Sequence, residues 1–349
     1  MDRAFLNERI QNGEPIINAY CAEQDLSDVN FAGALLENCN FRGARLTGAH
    51  ISEASFTNCD LKDANLEGAK GRHVRFVSSN LEGARFDGSD LNVSAFMGCN
   101  LTGASLTGTT VLAVSFLDCK LDGVSLRGVT VERGSIAGCG LERIDLSGAK
   151  LLMTTLTKAD LRTAKLDGVS MEKVVLMEGA LTGRSLAGLR LIHVQLIDAS
   201  LEGCDFSGAT LDGSGFKGSN LEGAKFVSAS AKRCLFVEAK MKGAQFQNAD
   251  LAQSVFVDAD ASACDFSGAK LGMTAWHRAR CVKTSFQNAD LSFADFSWAD
   301  LTDADLRGAT KVRVLLHDAK LDGTSFSTKL GTIGEDTELK HAESFSAKR

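Results

Sequence analysis

Cys39, Cys59, Cys99, Cys119 and Cys139 are separated by 20 residues or multiples of 20, and Ser79 fills the vacant step. Thiols in such a series could hold a metal or close disulfides. Zinc needs ligands that converge tetrahedrally, and a disulfide needs Cα atoms within about 7 Å of each other. Six histidines, His50, His73, His193, His277, His317 and His341, could act as ligands or as general acids and bases, given a partner within hydrogen-bond reach. The stretch "GSGFKG", Gly213 to Gly218, has the G-x-G-x-x-G spacing of a phosphate-cradling turn, which has meaning only between a strand and a helix. Whether any of these groups does chemistry depends on the elements that hold them.

Those elements follow one rhythm. From Leu26 to Phe326 every fifth residue is Leu, Phe, Ile, Val, Met or Trp, with no insertion or deletion; Gly71, Ala231, Ala261, Cys281 and Lys311 are the departures. Two residues before each beat sits a small residue, as at Ala44, Ala64, Ala84, Ala224 and Ala289, and two residues after it Gly, Asn or Asp is frequent. One unit reads A-(N/D)-(L/F)-x-(G/N). Five residues cannot close a core alone, so the unit must form one side of a coil whose stacked copies share a core. A slower period counts the sides: glycine recurs every 20 residues from Gly48 through Gly208, and phenylalanine does so at Phe56, Phe76, Phe96 and Phe116 and again from Phe206 to Phe286. Four sides make one coil.

These repeats, running from about Leu26 to Phe326, resemble the pentapeptide repeat proteins. The resemblance implies an all-β fold, a right-handed four-sided β-helix, in which the central Leu or Phe and the preceding small residue point inward. At the roughly 4.8 Å spacing of neighbouring strands, about 15 coils are expected. Residues 1–15 are read as an N-terminal cap with a short helix, carrying an Asp2 cap, an apolar stripe of Phe5, Leu6 and Ile10, and a stop at Gly13 and Pro15. The β-helix is expected over 16–328 and a C-terminal tail over 329–349, its start docked through Leu330 and Ile333.

Within that frame the chemical motifs lose their force. All cysteines except Cys21 and Cys281 occupy the small inward position, and a ladder along a solenoid does not converge as zinc requires. They are expected to be buried, reduced and metal-free, packing as small apolar groups. The histidines fall at outward positions or in the tail, without an evident nucleophile or acid beside them. Phe216 of "GSGFKG" is itself a beat. Arg184, at a small inward position, and Lys311, on a beat, are expected to distort the coil locally, and Gly71 to leave a gap. No enzyme, cofactor, metal site or small-molecule substrate is expected.

Composition agrees with a packed scaffold. The chain has 349 residues, 44% hydrophobic, and a net charge of −6. No apolar run reaches the roughly 20 residues of a membrane helix, and the start lacks the apolar core of a signal peptide. The expected address is the cytoplasm, with export by a specialised secretion system left open. The family lends two functions besides a general scaffold: accessory or effector protein of a bacterial secretion system of type VI kind, and DNA-mimicking modulator of type II topoisomerase. Mimicry needs dense negative charge, whereas here only Asp290, Asp295, Asp300, Asp303 and Asp305 cluster, over about one coil. Direct nucleic-acid binding is not expected.

One asymmetry bears on partners. At the two outward positions after the beat, the side beginning at Phe31 carries Val93, Leu112, Leu152, Met153, Ile192, Met273, Phe293 and Val312. The adjoining side, beginning at Leu36, carries Val77, Met97, Leu117, Met177, Ile197, Val237, Val257 and Trp298. The other two sides offer only Val227 and Val282. β-Branched residues favour strands without binding anything, but that does not account for Met, Leu, Phe and Trp. A docking surface for a protein partner or a second subunit is therefore expected at Val93, Met97, Leu112, Leu117, Leu152, Met153, Met177, Ile192, Ile197, Met273, Phe293 and Trp298, since contiguous exposed apolar surface marks such sites.

Overall fold

Residues 20 apart pair as parallel strands: Leu36 lies opposite Phe56, Phe56 opposite Phe76, and Phe76 opposite Phe96. The computed structural model describes residues 3–334 together with Thr337, Glu338 and Lys340. The chain divides into two compact units, Met1–Ala180 and Leu181–Arg349. Each is a parallel β-solenoid built from the five-residue unit.

The consensus residues have separate backbone duties. Apart from Thr163, every fifth residue from Asn18 to Gly323 has positive φ, the left-handed region open to Gly and tolerated by Asn and Asp. This residue is the third of a four-residue turn, closed where the small residue's N–H donates to the beat carbonyl, as in Ala44 N to Phe41 O at 2.9 Å. The Asn or Asp before the beat completes the corner: its Oδ1 accepts the N–H two residues on, from Ala32 to Asn30 at 3.0 Å and from Lys62 to Asp60 at 3.1 Å.

In the first unit this turn fails on two sides. On the Leu36 side the chain runs as strands Leu35–Glu37, Ser55–Thr57, Arg75–Val77, Ala95–Met97 and Ser115–Leu117; residues 35, 55, 75, 95 and 115 are Leu, Ser, Arg, Ala and Ser, but lack of Asn or Asp there does not by itself open the turn, which closes after Gly215, Leu235, Val255 and Ala275. On the Phe31 side the closing bond lengthens coil by coil, from 2.9 Å at Ala34 to 3.1, 3.2 and 3.3 Å at Ala54, Val74 and Ser94. Strands Val111–Leu112, Thr130–Glu132, Lys150–Leu152 and Ser170–Glu172 follow. The second unit returns to closed turns: Ser214 N again reaches Leu211 O at 2.9 Å, and Ser219 N reaches Phe216 O at 3.1 Å.

The core is filled by the beats. Phe56, Phe76, Phe96 and Phe116 stack at 4.9–5.1 Å in the first unit. In the second, Phe206, Phe226, Phe246 and Phe266 stack at 4.6–4.8 Å, facing Phe216, Phe236 and Phe256 edge to face across the interior. The coil spacing and the preferred offset of aromatic rings coincide, so each ring is buried and paired at once. No gap opens at Gly71: a Cβ there would meet Ile51 Cγ1 and Leu91 Cδ2 at 3.1 Å, because both neighbours have closed over the site.

Helix α1 spans Arg3–Gln11 and buries Leu6 completely. It ends at Gly13 (φ 67°), with Glu14 N bonded to Arg9 O, and lies against the first strand, Ile16–Ile17. The expected Asp2 cap and the Phe5 side chain lie outside the described residues. At the other end, Thr332–Ile333 pairs with Val314–Leu315 after an offset of 18 residues instead of 20. Lys311, whose Nζ donates to Ala309 O, keeps the 20-residue register with the coil before it, Asp290 opposite Thr310 and Asp295 opposite Leu315; the two residues are lost between Ser325 and Thr332. Ile333 takes part in the pairing, whereas Leu330 is 83% exposed and does not dock.

Candidate interaction surface

The thiol ladder proves to be a backbone device. Where the Leu36 side runs extended, the N–H of the small residue loses its turn carbonyl and needs another acceptor. The residue one coil later supplies it: Cys59 N donates to Ser79 Oγ at 3.0 Å, and Cys119 N to Cys139 Sγ at 3.4 Å. Each side chain also donates to carbonyls, Ser79 Oγ to Phe56 O and Val77 O, Cys99 Sγ to Phe76 O and Met97 O. The second unit does the same at several open turns, as at Val194 N to Ser214 Oγ (2.9 Å) and Cys234 N to Ser254 Oγ (3.0 Å), whereas Val314 N donates to Gly331 O. None of the cysteines forms a disulfide; all are buried except Cys139, which is half-buried. A hydrogen bond to Cys39 together with burial pushes the Cys59 thiol far above its ordinary value, and burial raises Cys234 to about 12. Among the described residues no group of three His, Cys, Asp or Glu could hold a metal.

The other motifs resolve as locally. Phe216 of "GSGFKG" is fully buried, and Gly213 and Gly218 are ordinary corners with φ of 71° and 67°. Arg184 causes no bulge: its N–H closes a regular turn on Leu181 O at 2.9 Å and its carbonyl accepts Asp205 N, with the side chain half-buried. His277 Nε2 lies 2.7 Å from Asp295 Oδ2. His317, at an outward position, is only 1% exposed, and the Trp298 ring packs edge to face against it. His341 lies outside the described residues.

The apolar positions fall as follows. In the first unit Val93, Met97, Leu117, Met153 and Met177 are exposed, while Leu112 and Leu152 are half-buried. Met97 and Leu117 are register partners on neighbouring strands. In the second unit Met273 and Phe293 are 60% and 52% exposed, and Ile192 and Ile197 are half-buried. Trp298 is half-buried as well, held edge to face between His277 (5.7 Å) and His317 (5.4 Å). Leu35 and Leu235, before the beat on the Leu36 side, are exposed too and extend the asymmetry; the comparison of positions after the beat misses them. Between Ile17 and Val312, Tyr20 is the exposed large apolar residue that lies off these two sides. Val93, Met153, Met273 and Phe293 have φ of 58°, 50°, 58° and 61°, a conformation costly for β-branched or bulky residues.

Two members of the acidic cluster of the second unit have a Lys or Arg partner. Asp305 binds Arg307 at 2.6 Å, Asp300 lies 3.9 Å from Lys320, and Asp258 of the preceding coils binds Arg278 at 2.7 Å. Among the described residues no helix is long and apolar enough to cross a membrane.

The family model for pentapeptide repeats matches in eight copies between residues 25 and 310. The chain belongs to the pentapeptide repeat family. Among solved structures, full-length QnrB1, a plasmid-mediated fluoroquinolone resistance protein, is similar at 16% identity over 68% of this chain and 91% of that one, with a TM-score of 0.28. HetL, involved in heterocyst differentiation regulation in the cyanobacterium Nostoc sp. strain PCC 7120, is similar at 21% identity over 93% of this chain and 96% of that one, with a TM-score of 0.20. No curated protein sequence matches.

Proposed function

We propose that this protein is a non-enzymatic interaction scaffold that docks protein through the Phe31 and Leu36 sides of its solenoid units. The observation that carries this reading is that, between Ile17 and Val312, every exposed large apolar residue except Tyr20 lies on those two sides. Several of them also occupy left-handed corners where Gly or Asn would cost less, although an exposed side chain there returns no packing energy to the fold. Residues kept against local preference, and outside the core, are accounted for by contact with another molecule.

DNA mimicry finds no support in the charge distribution, because the acids alternate with bases one coil away, as in Asp260 with Arg280 and Asp300 with Lys320. The secretion-system reading rests on the family resemblance alone. The test is affinity capture on the immobilised full-length chain, set beside the variants Phe293→Ser and Val93→Asn. Both are expected to fold normally and to retain the partner at least about tenfold less well. Undiminished capture by both variants would remove the two sides from the interface.

A further inference from the structure

Asn12 and Gly13 form the one Asn-Gly step in the chain; every other asparagine is followed by a residue with a side chain. An asparagine amide is open to attack by the backbone nitrogen of the next residue, and glycine, without a Cβ, shields that nitrogen least. Here both residues are exposed, Gly13 has φ of 67°, and nothing lies within 4 Å of where its Cβ would stand.

The backbone at this step is held by a single helical turn. Asn12 N donates to Glu8 O and Gly13 N to Ile10 O, both at 3.0 Å, at the end of a nine-residue helix, where fraying is the rule. Asparagines within the solenoid are held from the next coil instead: Asn38 N donates to Thr57 O at 3.0 Å, Asn58 N to Val77 O at 2.9 Å and Asn248 N to Ser267 O at 3.0 Å. Freeing their backbone for ring closure means separating coils, whereas Asn12 needs only the last turn of α1 to open.

We propose that Asn12 is a site of spontaneous deamidation, and that the change loosens α1 from the first coil. Gly13 N attacks Asn12 Cγ; the new N–C bond closes a succinimide, the Cγ–Nδ2 bond breaks, and the amide leaves as ammonia carrying the Gly13 proton. Water then opens the ring on either side of the nitrogen. Cleavage at Cγ gives aspartate, and cleavage at the main-chain carbonyl carbon of residue 12 gives isoaspartate, whose main chain is one carbon longer. Either product puts a carboxylate at the negative end of the α1 dipole. Isoaspartate also displaces the Gly13 and Glu14 N–H groups from the carbonyls of Ile10 and Arg9, and strains the Arg9 guanidinium contacts that span the step, to Pro15 O at 3.2 Å and to Glu14 at 3.6 Å. Helix α1 buries Leu6 and lies against Ile16–Ile17, so its release uncovers apolar surface at the edge of the first coil.

The test ages the full-length protein in mildly alkaline buffer, follows each asparagine by tandem mass spectrometry, and reads the cap by brief trypsin treatment, as cleavage after Arg9. The expected result is that Asn12 gains the mass of amide-to-acid conversion at least about tenfold faster than any asparagine of the solenoid, and that cleavage after Arg9 rises in step. Asn12→Gln, which has to close a larger ring, should hold both signals at their starting level, and Asn12→Asp should be cleaved readily from the outset. Conversion of Asn12 no faster than that of Asn38 or Asn248 would overturn the modification site. Trypsin resistance of both the aged protein and Asn12→Asp, equal to that of the fresh protein, would overturn the loosening of α1.

Discussion

The indole of Trp298 packs edge to face on His317, with ring centroids 5.4 Å apart and planes at 88°, and this histidine, in an outward register, is 1% exposed. Phe293, five residues earlier at the equivalent corner, is 52% exposed and covers nothing comparable. The two bulky corner residues of the second unit therefore differ in kind: one packs, the other is presented.

Trp298→Ser should accordingly lower stability by about 1–2 kcal/mol, as loss of a packed half-buried ring, while Phe293→Ser should change it by less than about 0.5 kcal/mol. Urea denaturation of the two variants checks this. Equal losses would mean that the His317 contact contributes nothing.

Val93→Asn should stabilise the first unit by about 0.5–1 kcal/mol, because Asn tolerates a φ of 58° better than a β-branched residue does. The change is read as a shift of the urea midpoint. A destabilised variant would show that the valine is held by packing that outweighs its backbone strain.

Ser79→Ala should cost about 1–3 kcal/mol by leaving the Cys59 N–H without an acceptor, whereas Ser79→Cys should be close to neutral, since Cys139 serves Cys119 in the same way. Similar losses in both variants would remove the hydrogen-bonding role of the ladder and leave only side-chain volume.

Stability should fall at both ends of the pH scale. The Arg307 guanidinium holds the Asp305 carboxyl well below its ordinary value, so its contribution is complete above the unfolded value of about 4 and is lost as pH falls toward the folded one. Burial raises Cys204 to about 11 and Cys234 to about 12, so their neutral thiols favour the fold fully below about 8.5 and progressively less as pH climbs toward those values. Asp305→Asn should flatten the acid limb and Cys234→Ser the alkaline limb of stability measured against pH. Unchanged slopes would assign both limbs to other groups.

The five-residue beat and the 20-residue period make the solenoid legible from residues alone, because every inward side chain is forced into a fixed column. The opening of the turns on the Leu36 side was not legible in the residue before the beat, since Asn and Asp are absent at 35, 55, 75, 95 and 115 and equally at 215, 235, 255 and 275, where the turn closes. Its consequence for the thiols was not apparent, since a cysteine read singly looks like a small core residue and shows its acceptor role only beside the N–H of the coil before it. The contact of His317 with Trp298 escaped for a similar reason: the two are 19 residues apart, and only the stacked arrangement brings the rings together. Arg184 was expected to bend the chain, but the corner is fixed by backbone hydrogen bonds that its side chain does not disturb.

The strict pairing of each residue with the one 20 positions on has an evolutionary corollary. Within a unit, deleting five residues keeps every beat inward yet rotates all that follows by a quarter circuit, carrying the apolar sides to a different compass bearing. Deleting 20 restores the bearing. Such a chain can lengthen or shorten without losing its recognition face only by whole circuits, so gene duplication or recombination in steps of 60 nucleotides is the inheritance this architecture tolerates.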